Sequence, residues 1–106
     1  VVFTAVDGTL LDFHTFDGNA SRPIAEELAA LGVPLVPVTE MTLEEIEPIA
    51  RDMGMHHAMI IEAGGAIARW KCGSWEVDPC GIDADALLDV VAAVEAAAHA
   101  DLIVYL

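Results

Sequence analysis

Short apolar runs alternating with segments of helical period constrain this chain more than any other feature. VVFTAV (1–6), PLVPVT (34–39) and AMIIEA (58–63) are too short for buried helices and are bounded by turn-forming or charged residues. Each reads as a strand, and the unbroken apolar character of Val1–Val6 predicts a strand buried on both faces. Strands alternating with helices require right-handed crossovers and a mainly parallel sheet.

The intervening segments carry helix signals. Ser21 is placed to cap a first helix, with Pro23 in its first turn and Gly32 as its stop. Ile24, Leu28 and Leu31 fall at i, i+4, i+7 and predict its buried face. Thr42 and Glu45 form a capping-box pattern for a second helix, TLEEIEPIARDMG, which Gly54 ends. Its inner face is predicted as Ile46, Ile49, Ala50 and Met53, and Pro48 is expected to kink it. Pro37 cannot donate a ladder hydrogen bond, so its strand is expected at an edge or to be locally irregular.

AIARW (66–70) and SWEVD (74–78) flank Lys71-Cys72-Gly73 and predict a β-hairpin. Asp83 then caps a helix running to about His99. Leu87, Val91 and Val94 form its apolar stripe, widened by Leu88 and Val90. DLIVYL (101–106) reads as a last strand. The expected architecture is α/β: a three-layer, Rossmann-like, mainly parallel sheet with a hairpin insertion. Residues 1–80 make its core, with the hairpin over 66–78. Residues 81–106 form a helix and strand packed on the same core.

Charge narrows the partners. Eighteen Asp and Glu against four Lys and Arg give a net charge of −14. Such a surface repels nucleic acid and anionic membranes. No apolar run approaches the roughly 20 residues of a membrane-spanning helix. The first residues lack a basic–apolar–small leader, so a cytoplasmic location is expected. Cys72 and Cys80 have neither CxxC spacing nor zinc-finger histidines and read as free thiols.

Ligands of an open parallel sheet bind beyond the carboxyl ends of its strands. The first strand delivers Ala5, Asp7, Gly8 and Thr9 there. The second delivers Thr39, Glu40 and Met41, and the third Glu62, Ala63, Gly64 and Gly65. Thr39 can hold a phosphate or simply cap the following segment. Glu40 and Glu62 read as solvated rim carboxylates, and His56-His57 as a loop pair. Trp70 and Trp75 read as a cross-strand aromatic pair.

VVFTAVDGTLLD, LGVPLVPVTEMTLEEIEPI and MIIEAGGAI, in this order and spacing, resemble the haloacid dehalogenase-like superfamily. Within it they resemble the Cof-type and mannosyl-3-phosphoglycerate phosphatase group. The likeness covers roughly residues 1–80 and thins into what looks like the start of a cap domain. It implies phosphatase chemistry, with an aspartyl-phosphate intermediate and Mg²⁺ as cofactor. Carried over, Asp7 matches the acid/base, and its backbone carbonyl a magnesium ligand. Thr39 matches the phosphate-binding hydroxyl, while Gly8, Thr9, Gly64 and Gly65 match the phosphate-side turns. Ala5 occupies the nucleophile's position, where the family's motif has Asp, and a methyl group cannot attack phosphorus.

Met41 stands where related sequences tend to have Lys, and Ala63 where they tend to have Asn. The family's later Lys and acidic pair do not occur before residue 106. The expectation is therefore a truncated, phosphatase-derived domain without turnover as it stands. It would bind a small phosphorylated ligand or form a homodimer through its C-terminal helix and strand. The alternative is an inactivated or partial Mg²⁺-dependent phosphatase of a phosphorylated sugar or glycerate.

Overall fold

The computed structural model describes residues 1–81 and 83–97. The element order is β1 (Val2–Ala5), α1 (Arg22–Ala30), β2 (Leu35–Val38), α2 (Leu43–Asp52) and β3 (Ala58–Ile61). A 3₁₀ turn (Glu62–Gly64), β4 (Ala66–Lys71), β5 (Ser74–Pro79) and α3 (Ala84–Ala97) follow. The expected final strand and His99 lie outside the described residues. Among the described residues one five-stranded sheet runs in the order β1-β2-β3-β4-β5. It is parallel through β3 and antiparallel through the hairpin.

Consecutive parallel strands joined by right-handed crossovers place α1 and α2 on one face. The core lies beneath them. Val6, Leu35, Met59, Ile61, Ala66 and Ala68 from the sheet side meet Ala25, Ile46, Ala50 and Met53 from the helices. The predicted inner face of α2 is borne out: Ile46 and Ala50 are fully buried, Met53 is buried and Ile49 half-buried. Burial of a side chain such as Ile46 contributes about 1.5–3 kcal/mol.

Three expectations are corrected. Among the described residues β1 is an edge strand, not a strand buried on both faces, and Phe3 is 61% exposed. In α1, Ala25 is buried and Leu28 half-buried, but Ile24 and Leu31 are 58% and 69% exposed. Helical period identifies a stripe; the edge position of β1 leaves too little sheet to cover it. Ser21 has a helical backbone and no side-chain cap bond. Its hydroxyl donates instead to the Thr9 carbonyl at 3.5 Å.

β2, despite Pro37, is interior, so the predicted irregularity replaces the predicted edge. Thr39 N–H points to β3, donating to the Ile60 carbonyl at 2.9 Å. Residues two apart in a parallel strand point the same way, so the nitrogen of Pro37 also faces β3. Register between these strands is correspondingly limited to Val38 opposite Ile60.

Both helix stops form where glycine permits a left-handed backbone. Gly32 (φ 67°) and Val33 donate to the carbonyls of Ala29 and Leu28. Gly54 (φ 69°) and Met55 do the same to Arg51 and Ala50. The hairpin turns on Cys72 and Gly73, both at positive φ, as a two-residue type I′ connection requires. Trp70 and Trp75 pair across it, edge to face, with centroids 5.1 Å apart.

Cys72 and Cys80 lie beyond opposite ends of β5 and are free and exposed. Asp83 caps α3 by accepting from the N–H groups of Asp85 and Ala86. Leu87, Val91 and Val94 are half-buried, but Leu88 and Val90 are exposed rather than part of a covered stripe. Among the described residues no helix is long and apolar enough to cross a membrane.

Candidate functional site

The turn after β1 is built around one carbonyl. Val6 C=O accepts from Thr9, Leu10 and Leu11 N–H at 3.3, 3.0 and 2.9 Å. Val6, Leu10 and Leu11 are buried, and Gly8 takes φ 69°. This anchors the turn and leaves Asp7 exposed at the sheet's carboxyl edge. The ends of β2 and β3 are joined there by two backbone bonds. Glu62 N–H donates to Met41 C=O at 3.0 Å, and Ala63 N–H to Thr39 C=O at 3.1 Å.

These three strand ends enclose an open cleft of about 550 Å³. Asp7, Glu40, Met41, Glu62 and Ala63 line it, together with Phe16 and Glu45. Of the residues singled out from the sequence, the structure brings Asp7, Glu40, Met41, Glu62 and Ala63 to one place. Thr39 is buried behind the rim (7% exposed), and its Oγ accepts from Met41 N–H at 3.2 Å. That is the capping geometry its sequence position allowed. Thr9 instead lines a separate apolar groove between β1 and α1, with Val2, Ile24 and Leu28.

Gly64 and Gly65 do not line the cleft; they shape the turn beside it. Gly64 has φ 93°, and a Cβ at Gly65 would sit 3.0 Å from the Glu62 carbonyl oxygen. Glu62 and Ala63 themselves hold left-handed backbones at φ 52° and 54°.

Phe16 and Glu45 are the lining residues that site reasoning from sequence missed. Glu45 was legible only as the capping-box partner of Thr42, which it is. Its Oε2 accepts from Thr42 N–H at 2.8 Å and from the Thr42 hydroxyl at 2.9 Å. The backbone bond foremost, then the hydroxyl, holds its carboxyl below the usual range. A capping residue on the helix after β2 necessarily sits near that strand's carboxyl end, which is the signal that finds it.

Phe16 lies in a loop organised by Asp12. Asp12 Oδ1 accepts from Thr15 N–H, His14 N–H and the Thr15 hydroxyl. Those bonds, the Thr15 backbone one first, lower the Asp12 pKa. Phe16 N–H closes the loop on the Asp12 carbonyl at 2.9 Å.

The cleft wall is anionic. Its ionisable lining groups are Asp7, Glu40, Glu45 and Glu62. All four Lys and Arg of the chain are paired away from it: Arg22 with Asp52, Arg51 with Glu47, Arg69 with Asp78 and Lys71 with Glu76. The magnesium that the resemblance implies finds a poor donor set. Ala5 offers a methyl group, and among the described residues no three His, Cys, Asp or Glu side chains converge to hold a metal ion. The donors present do not fit Mg²⁺.

Over 67 residues the chain is 39% identical to the glucosyl-3-phosphoglycerate/mannosyl-3-phosphoglycerate phosphatase of Methanococcoides burtonii. It is 37% identical over 67 residues to the protein of the same description from Persephonella marina. Each match covers 63% of this chain and 25% of the relative. A crystal structure of a hypothetical protein from Geobacillus kaustophilus superposes with a TM-score of 0.61. That match covers 90% of this chain and 36% of the other, at 16% identity.

The fold is haloacid dehalogenase-like.

No family model matches the chain. The matched segment spans about a quarter of the length of these curated relatives. Its sheet carries the Rossmann-like arrangement expected of that fold.

Proposed function

We propose that this chain is a phosphatase-derived binding module. On this reading it keeps the ligand cleft of a haloacid dehalogenase-like domain and does not turn over phosphate esters as it stands. One observation carries the absence of turnover: the cleft wall has four carboxylates, while every Lys and Arg of the chain is paired elsewhere. A phosphoryl group entering beside Asp7 meets no cationic side chain of this chain's lysines or arginines. Ala5 supplies no nucleophile. Loss of a central catalytic group typically costs about 10⁴–10⁶ in rate. The ligand class comes from the curated relatives, whose descriptions name glycosylated 3-phosphoglycerates.

A second reading is favoured by the same relatives: a phosphatase of such esters whose catalytic position is inactivated in this chain. An assay of phosphate release from mannosyl-3-phosphoglycerate with Mg²⁺, on the chain and on Ala5→Asp, separates the two. The binding-module reading expects no release from either protein. Release by Ala5→Asp alone would support the inactivated phosphatase. Release by the unaltered chain would overturn the proposal.

A further inference from the structure

The cleft has one wall that the phosphatase reading leaves without a role. Phe16 lines it, is 61% exposed, and holds a left-handed backbone at φ 54°. Each property alone is unremarkable; together they are costly. An exposed phenylalanine contributes little to the core, and a left-handed aromatic residue is strained. Asp12 and its three accepted bonds hold the loop that keeps Phe16 there.

We propose that Phe16 is a specificity residue: the aromatic platform on which the sugar ring of a glycosylated ligand stacks. This rests on the ligand class given under the proposed function and assigns one part of that ligand to one wall. The chemistry of the lining favours a sugar. A pyranose presents C–H groups on a ring face, which pack against an exposed aromatic face. Its hydroxyls donate to carboxylates such as Glu40, Glu45 and Glu62, which line the same cleft. The anionic end of the ligand has no comparable partner on this wall. The cleft's volume of about 550 Å³ also suits a small ligand.

The test is calorimetric titration of the chain with mannosyl-3-phosphoglycerate and, separately, with 3-phosphoglycerate, which lacks the sugar. The proteins are the unaltered chain, Phe16→Asn and Phe16→Trp. Asn tolerates a left-handed backbone, so Phe16→Asn should unfold at equal or higher urea than the unaltered chain. It should nevertheless bind the glycosylated ligand about five- to tenfold more weakly, the scale of a lost aromatic contact. Phe16→Trp should retain binding. Affinity for 3-phosphoglycerate should not change in either variant.

Equal binding of the glycosylated ligand by Phe16→Asn, or an equal loss toward 3-phosphoglycerate, would overturn the stacking role while leaving the ligand class intact. If the unaltered chain bound neither compound, the ligand class itself would fall, and the role of Phe16 with it.

Discussion

Ala63 shows how a single residue acquires a second meaning once its backbone is known. Against the family pattern it replaces an amide and reads as lost chemistry. In the structure it holds φ 54° and ψ 30° beside Glu62 at φ 52°, a conformation in which Asn is far more at ease than Ala. The substitution therefore also affects stability. Ala63→Asn should raise the free energy of unfolding by about 0.5–1 kcal/mol, read from a urea transition with unchanged slope. An unchanged or lower midpoint would show that the turn relaxes around Ala63 at no cost. That a position follows the third strand was legible from AMIIEA and the glycines after it. Its φ was not, because a left-handed residue other than glycine leaves no mark in composition.

At the scale of elements, local devices were legible and lateral coverage was not. The capping box of α2 follows from Thr42 and Glu45 three residues apart, and it forms. Glu45 then has a pH signature. Its pKa is lowered from an ordinary 4.5, chiefly by the Thr42 N–H bond. A carboxyl with a depressed folded-state pKa contributes stability above its unfolded pKa and loses it as pH falls through the folded value. Acid unfolding followed by circular dichroism should show this loss below about pH 4.5. Glu45→Gln should flatten that part of the profile, and an identical profile would show that the bond contributes nothing measurable. The glycine stops at Gly32 and Gly54 were equally local, since each is a backbone requirement of its own helix end. The face of α1 was different. Ile24, Leu28 and Leu31 share a stripe by geometry, yet only a neighbouring element can bury it, and among the described residues β1 ends the sheet.

For the molecule as a whole, eighteen acidic against four basic side chains make self-repulsion a property of the folded state. Raising salt from 0.01 M to 0.1 M shortens the Debye length from about 30 Å to about 10 Å. The thermal midpoint should rise by roughly 4–8 °C, as expected for about 1 kcal/mol in a domain of this size. A fall would mean that the four ion pairs outweigh the repulsion. The sequence by itself determined the alternation of strand and helix, the capping box of α2, the Asp83 cap, the glycine stops, the existence of the hairpin and the acidic surface. All of these are set by neighbours along the chain or by residue type alone. Only the tertiary structure decided that β1 lies at the edge of the described strands, that Thr39 turns inward, that Thr9 faces another groove, and that Phe16 and Glu45 join the cleft. Those depend on which segments, distant in sequence, meet at one end of the sheet, and no local periodicity encodes that meeting.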